Sequence, residues 1–493
     1  MGPDAHPEGG NVARRDVRHG RRRARLLPLV LLLCLVVAAA AVWRYDVLDR
    51  WLDPAAPTDP SAIAPPEELS LPPVVDPSAV AEEPAGGPVA AQAVRRAIAR
   101  ALRDEDLGPH VVAAVGELDG TGVLARIGPK GPLPVPASTT KVVTAVAALL
   151  AMDPDTTFST SVVEDGPRGI VLVGGGDPLL ASEPTRAGGD EDRAVWPDRA
   201  DVRTLARETA AALKAEGRTR VRVGYDTSLF SGPADNPRWR ADYVPDGVVS
   251  PTTSLWVDEG RPAEGFGRVA DPALTAATVF AGELSRRGIQ VVGVPRERAA
   301  PDGATELASV TGAPLSQIVE HVLAVSDNEA AEVLLRHVGL ATEGVGSVEA
   351  GRRGVVRLLG EAGVDLGRTR LWDGSGLSRQ NRMEPAALLD VLRLAASGEH
   401  PELRAALTGL PVAGFTGSLT DRFDTGAPEG RGRVRAKTGT LTGVTSLAGL
   451  AVDRAGRTMV FAMFADKVPV EDTLGARDAM DAAAAALGAC RCG

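Results

Sequence analysis

Val135-Pro136-Ala137-Ser138-Thr139-Thr140-Lys141-Val142-Val143-Thr144-Ala145 is the stretch on which the reading of this chain turns. After Lys141 an Ala- and Val-rich run continues to Met152 without Gly or Pro, the pattern of a buried helix. Pro134 and Pro136 can end an extended segment just upstream, and Ser138 can open the helix as its N-cap or a first-turn residue. Residues three apart share a helical face, so the Lys141 ammonium can reach the Ser138 hydroxyl. A serine hydroxyl becomes a nucleophile when a neighbour takes its proton, and a lysine can do that once burial and nearby cations depress its pKa. The helix N-terminus adds amide donors where an oxyanion would form. Alone, Ser-x-x-Lys equally fits a capping serine beside a solvated lysine. Two further motifs decide between these readings.

Composition sets the frame. The chain has 493 residues, 44% hydrophobic and 24% charged, enough for about two or three globular domains with substantial cores. A net charge of −10 argues against a nucleic-acid partner, and 3% aromatics leave no stacking platform. The three cysteines, Cys34, Cys490 and Cys492, make neither a disulfide framework nor a metal-ligand pattern, so no metal or other cofactor is expected. Cys490-Arg491-Cys492 either closes a small disulfide or leaves two tail thiols; the sequence does not choose.

At the N-terminus seven arginines (Arg14, Arg15, Arg18, Arg21, Arg22, Arg23, Arg25) precede Leu26 to Trp43, 18 residues without a charge. Arginines in front of an apolar segment hold that end in the cytoplasm and imply export of the rest. The run suits either a retained signal anchor, the reading adopted here, or a signal peptide cleaved near Ala38-Ala39-Ala40-Ala41. From Asp53 to Pro88 prolines recur among Ala, Asp, Glu and Ser, a semi-rigid spacer unable to bury a core.

The folded part opens near Val89 with a helical pattern over Ala90–Leu102 and a strand hairpin over Val111–Arg126. Strands are expected at 158–163, 169–173, 221–225 and 289–292, and helices at 202–216 and 272–287. Gly174-Gly175-Gly176 lacks a phosphate-loop frame and reads as a turn. Leu315–Leu340 reads as one helical stretch containing Ser326-Asp327-Asn328. Lys437-Thr438-Gly439-Thr440 ends the strand-like run from Arg433; strands at 446–452 and 457–465 and a helix at about 471–487 close the chain.

Ser-x-x-Lys, then Ser-x-Asn, then Lys-Thr-Gly in that order is the signature of the serine penicillin-interacting enzymes. The chemistry explains the residue types. Ser138 attacks a carbonyl, Lys141 as a neutral amine takes its proton, and Ser326 relays it to the leaving amine. Asn328 supplies an amide to substrate backbone and orients Lys141. Lys437 lowers the Lys141 pKa by its charge and attracts a substrate carboxylate, which the Thr438 and Thr440 hydroxyls hydrogen-bond. Gly439 lets substrate lie against the strand. The amides of Ser138 and Thr440 form the oxyanion hole.

The spacings, 188 residues between the serines (326 − 138) and 111 from Ser326 to Lys437 (437 − 326), resemble those of the class C low-molecular-mass penicillin-binding proteins, the type-4 D-alanyl-D-alanine carboxypeptidases and endopeptidases. The stretches Gly174–Leu180, Tyr225–Phe230, Asp373–Arg379 and Lys437–Val444 are family-like, and the resemblance covers about Val89 to Leu487. It implies an α+β fold: a transpeptidase-like (β-lactamase-like) domain with an antiparallel sheet flanked by helices, the site at the seam between sheet edge and helices. The division it implies is 1–25 basic tail, 26–43 anchor, 44–88 linker, 89–160 and 272–493 serine peptidase domain, and 161–271 inserted domain. A second insertion known in three-domain members is missing, since Val257–Arg261 leads within ten residues to Asp271-Pro272.

The resemblance implies an extracytoplasmic DD-peptidase acting on peptidoglycan stem peptides, acylated by β-lactam antibiotics, working without metal and tethered by its N-terminal helix. It would place Arg379 on the carboxylate and Asp226 on the ammonium of the stem peptide's diamino acid. The plainer alternatives are that Arg379 pairs within the fold and Asp226 caps a turn. Two rivals remain. A class A β-lactamase has the same motifs, with its first two only about sixty residues apart. A catalytically idle wall-binding protein would have to keep every reactive position for no chemical reason. A Ser-His-Asp hydrolase is disfavoured, as His110, His321, His337 and His400 accompany no Gly-x-Ser-x-Gly serine.

Overall fold

The computed structural model describes residues 88–129, 131–184, 196–424 and 426–493. The arginine-rich tail, the apolar run Leu26–Trp43 and the spacer up to residue 87 lie outside the described residues. Among the described residues no helix is long and apolar enough to cross a membrane.

Helix α1 (Ala91–Ala99) precedes the hairpin β1 (Val111–Glu117) and β2 (Ala125–Ile127), and the Ser138 turn leads into α2 (Thr140–Ala151). Next come β3 (Ser159–Glu164), β4 (Gly169–Val173), α3 (Val202–Ala215), β5 (Arg220–Asp226) and α4 (Pro272–Arg286). The short strands β6 (Gln290–Val291) and β7 (Arg296–Glu297) lead to β8 (Glu306–Thr311). The helices α5 (Leu315–Val325), α6 (Asn328–Glu343), α7 (Val348–Glu361), α8 (Pro385–Ala396) and α9 (Arg404–Thr408) follow. The chain closes with β9 (Val434–Leu441), β10 (Val444–Val452), β11 (Thr458–Ala465) and α10 (Thr473–Ala489).

Two sheets organise these elements. The first is antiparallel in the order β2-β1-β11-β10-β9. Its central strand β11 shows why the pattern there is a continuous apolar run and not an alternation. Met459, Phe461 and Met463 pack in the core shared with α1 and α10, while Val460, Ala462 and Phe464 pack in the core shared with α2 and α8. Both faces are covered, and each buried large side chain contributes about 1.5–3 kcal/mol. Helix α2 is buried from Thr140 through Leu149, which its all-round Ala and Val composition permits. The α+β architecture with an antiparallel sheet between helices therefore agrees with the expectation from the motifs.

The second sheet runs β6-β5-β4-β3-β8, with β7 also on β5. It is mixed: β4, β6 and β7 run parallel to β5, and β3 is antiparallel to β4 and β8. Helices α3 and α4 cover it, with Leu205, Leu213, Ala276, Phe280 and Leu284 in its core. Thus α4 and β8, which the sequence reading groups with the first layer beyond residue 271, pack on the second sheet. A 3.6-residue apolar period reports that a helix has a buried face, not which sheet receives it. From Arg261 to Asp271 the chain runs without helix or strand.

Local corrections have clear causes. The stretch Leu315–Leu340 is two helices, because Ser326 adopts the left-handed region (φ 64°, ψ 39°) and Asp327 then caps α6 by accepting from Ala330 N at 2.9 Å. Lys437–Thr440 lies within β9, followed by the turn to β10. Cys490 and Cys492 are joined by a disulfide.

Candidate active site

Pro134-Val135-Pro136 brings the chain to a single 3₁₀ turn, Ala137–Thr139, that continues into α2. Ala137 is held in the left-handed region (φ 49°), an uncommon state for a residue with a side chain. The turn is fastened from three sides: Thr139 Oγ1 donates to Pro136 O at 2.7 Å, Ser446 Oγ of β10 donates to the same carbonyl at 2.7 Å, and Val135 N donates to Asp466 at 2.9 Å. Two glycines let neighbouring backbone come this close. A Cβ on Gly376 would lie 1.9 Å from Ala137 O; one on Gly439 would lie 2.2 Å from Ser446 Oγ and 3.0 Å from Ser138 N. Gly439 thus has a packing reason that the strand pattern alone does not give. It makes room for the Ser138 turn against the strand.

Lys141 is fully buried, and its Nζ has three partners: Ser138 Oγ at 2.9 Å, Asn328 Oδ1 at 2.8 Å and the Ser375 carbonyl at 2.8 Å. Two of these can only accept. As a neutral amine, Lys141 spends its two N–H bonds on Asn328 and Ser375 and aims its lone pair at the Ser138 hydroxyl. Burial pushes the Lys141 pKa down to about 8, against the opposing pull of Asp327, Asp373, Glu332 and Glu329. Burial, not the charge of Lys437, is the leading cause. Lys437 is itself fully buried and held well below the ordinary lysine range by burial, then by Lys141 and Arg422.

The loop between α5 and α6 presents Ser326 half-buried, strained in its left-handed conformation. Asn328 opens α6; its Nδ2 donates to Val248 O at 2.9 Å while its Oδ1 receives Lys141. Its NH₂ group is therefore already engaged on one side by the segment between β5 and α4. Behind this loop Asp327, His321 and Glu259 bring ligand-type atoms within 4.8 Å of one another. Glu259 is paired with Arg261 at 2.6 Å and Arg199 at 3.5 Å, and Asp327 lies 3.3 Å from the His321 ring, so the Glu259 carboxylate already has cationic partners.

Lys437, Thr438, Gly439 and Thr440 lie on β9, the edge of the first sheet. Ala436 N donates outward to Pro411 O at 2.9 Å, so by strand alternation the amides of Thr438 and Thr440 face the same open edge. Thr440 is exposed, and Thr438 Oγ1 shares a 2.9 Å hydrogen bond with Ser418. Lys437 Nζ donates to Thr438 O at 2.8 Å and is not displayed at the surface, so the hydroxyls of Thr438 and Thr440 form the outer face.

Arg379 and Asp226 have different surroundings. Arg379 Nη2 donates to Thr442 O in the β9–β10 turn at 2.7 Å, placing it past the open end of the Lys-Thr-Gly strand. It also bears on Tyr243, whose hydroxyl is pushed up by burial and pulled back by the Arg379 charge. Asp226 ends β5 in the second sheet, where one oxygen accepts from Ser228 N and the other from Ala300 N, each at 2.7 Å. Desolvation there is outweighed by these amides, and its carboxyl lies below the ordinary value. It fastens a loop and is not among the contacts of the Ser138 group.

Two residues without a sequence-based role complete the site. Glu332, fully buried, accepts from Gly374 N at 3.0 Å, Ser375 N at 2.9 Å and Ser375 Oγ at 2.6 Å, and so fixes the carbonyl that Lys141 needs. Asp373 accepts from Gly376 N at 3.0 Å, Asn381 Nδ2 at 2.7 Å and Trp239 Nε1 at 2.9 Å, tying the same loop to the segment between β5 and α4. A signal for Glu332 was present: it stands four residues after Asn328 and therefore on the same face of α6. Nothing in the local sequence announces the Val248 carbonyl.

The sequence profile of the D-Ala-D-Ala carboxypeptidase 3 (S13) family matches residues 94–264 and 261–487. Carboxypeptidase DacB of Mycolicibacterium smegmatis is 34% identical over 474 residues, covering 94% of this chain and 96% of that protein. A D-alanyl-D-alanine carboxypeptidase of Actinomadura sp. is 31% identical over 405 residues, covering 69% and 74% respectively. In fold, the chain is similar to the crystal structure of penicillin-binding protein 4 from Haemophilus influenzae, with a TM-score of 0.64 at 21% identity over 80% of this chain and 97% of that one.

Proposed function

This chain belongs to the D-Ala-D-Ala carboxypeptidase (S13) family, and on that premise we propose that Ser138 is the nucleophile by which it acts as a serine DD-peptidase on peptidoglycan stem peptides. The observation that carries this reading is the three-partner geometry of the Lys141 amine. With a pKa of about 8, roughly a tenth of Lys141 is neutral at pH 7 and ready to accept the Ser138 proton.

The reaction follows from the geometry. Ser138 Oγ bonds to the carbonyl carbon of the penultimate D-alanine as its proton passes to Lys141 Nζ. The oxygen that becomes negative lies between the amides of Ser138 and Thr440, donors fixed by the 3₁₀ turn and by the sheet edge. Collapse breaks the C–N bond; the proton returns through the Ser326 hydroxyl to the departing amine, leaving an ester on Ser138. Water then hydrolyses that ester with Lys141 again as base. Thr438 and Thr440 hold the substrate carboxylate, and Arg379, beyond the strand end, meets the anionic side of the stem peptide. A β-lactam enters the same path and stalls as the acyl-enzyme. The exported location and the tether through Leu26–Trp43 belong to this proposal, and fractionation of cells expressing the full chain against one starting at Pro88 tests the tether.

The test of the nucleophile is acylation by a fluorescent penicillin followed by intact-mass and peptide mapping. The label is expected on the peptide bearing Ser138 and is expected to persist, whereas Ser138→Ala neither labels nor releases D-alanine from a pentapeptide. Labelling of the alanine variant would overturn the assignment; rapid loss of label with product turnover would favour a β-lactamase.

A further inference from the structure

Away from the Ser138 group, a concavity of about 550 Å³ opens between α7 and the segment Thr369–Trp372. Its wall carries Arg352, Arg353, Arg357 and Arg370, with Glu349 as the one acid. Trp372 forms part of the lining, and the guanidinium carbons of Arg238 and Arg352 lie 4.2 and 4.1 Å from the centre of its ring. In a chain of net charge −10, four guanidinium groups around one hollow need a physical reason. Carboxylates supply part of it: Arg353 is bound by Glu343 at 2.6 Å, and Arg357 lies 3.9 Å from Glu361. Among the described residues Arg352 and Arg370 have no ion pair, and the Nε of Arg352 is buried without a hydrogen-bond partner. Burial holds the Arg352 guanidinium below its ordinary value, and Arg238 and Arg353 push the same way against Glu349 and Asp373.

We propose that this hollow is a binding site for the phosphate groups of an anionic polymer, with Arg352 and Arg370 as its phosphate-binding residues and Trp372 as the ring that pre-orients Arg352. Several convergent guanidinium forks suit a tetrahedral oxyanion that offers acceptors in three dimensions. The cation–π contact costs Arg352 rotamer freedom before the ligand arrives, which lowers the entropy lost on binding. A bilayer surface is a poorer match, since the site is concave and Val356, 57% exposed, is the large apolar side chain it shows to solvent. The site stands apart from the reaction. None of the hydrogen bonds of Trp372 goes to Ser138, Lys141, Ser326, Asn328 or Lys437; its backbone is pinned by Asn236 at 2.8 Å and Asn381 at 2.7 Å, just before Asp373.

The experiment uses the full chain, with inorganic phosphate, poly(glycerol phosphate), poly-glutamate and phosphatidylglycerol vesicles as probes in calorimetry and thermal-shift titrations. Poly(glycerol phosphate) is expected to bind and to raise the melting temperature, with an affinity that falls steeply with salt. The double variant Arg352→Gln/Arg370→Gln is expected to bind at least tenfold more weakly, while hydrolysing a small soluble D-Ala-D-Ala peptide at the unaltered rate. No polymer binding by the unmodified chain, or equal binding by the variant, overturns the proposal. Equal affinity for poly-glutamate overturns the phosphate assignment, and binding to vesicles alone replaces the polymer with a lipid surface. The unmodified chain's own titration decides the matter if the variant is unstable, and loss of peptidase activity alone bears on the Ser138 reading and not on this one.

Discussion

Lowering the pH from 8 to 6 should slow acylation of Ser138 about fifty-fold, and the structure supplies the number. Lys141 acts only as the neutral amine, and burial places its pKa at about 8 instead of the ordinary 10.5. The neutral fraction is then about one half at pH 8, about a tenth at pH 7 and about one hundredth at pH 6. In free-energy terms, producing the base at pH 7 costs about 1.4 kcal/mol here, against about 4.8 kcal/mol for a solvated lysine. The difference of about 3.4 kcal/mol corresponds to a rate factor of about 300. The sign follows from which form reacts: protonation removes the lone pair aimed at Ser138, so the rate rises with pH, reaches half its maximum near pH 8 and levels off above about pH 9. The assay is the second-order rate constant for a fluorescent penicillin between pH 5.5 and 9.5, a quantity that reports ionisations of the free enzyme. Lys141→Arg, charged at every accessible pH, should abolish the reaction throughout. A profile flat from pH 6 to 8, or a midpoint near that of a solvated lysine, would refute the argument that burial makes Lys141 the base.

Three substitutions test the rest of the site. Asn328→Ala removes an acceptor from Lys141 and a donor from Val248 O, two hydrogen bonds worth about 0.5–1.5 kcal/mol each between neutral groups. Acylation should fall roughly 10- to 100-fold, read as the second-order rate constant at pH 8. Ser326→Gly relieves a left-handed residue, so chemical denaturation should show a gain of about 1 kcal/mol while peptide hydrolysis drops; lower stability would remove the strain argument. Gly439→Ala puts a methyl 2.2 Å from Ser446 Oγ and should cost about 1–3 kcal/mol together with a loss of acylation. Unchanged melting and labelling in that variant would mean that the strand and the Ser138 turn are not in the described contact.

Much was legible in the chain itself. The order and residue types of Ser138-x-x-Lys141, Ser326-x-Asn328 and Lys437-Thr438-Gly439 supply the functional groups that the proposed chemistry needs: a nucleophile, its base and a carboxylate-binding edge. Local periodicity also determines α2 as an all-round apolar helix and the closing strands as buried ones. What the tertiary structure alone decides is how those groups are tuned. Two of the three partners of the Lys141 amine lie 187 and 234 residues away in sequence, and its pKa follows from burial that no local pattern reports. The Ser375 carbonyl, the Glu332 carboxylate that fixes it and the break at Ser326 depend on packing between elements distant in the chain. The same holds for the membership of α4 and β8 in the second sheet. Hydrophobic periodicity encodes that a face is buried, whereas the identity of the partner is set by the three-dimensional balance of desolvation, hydrogen bonding and close backbone approach.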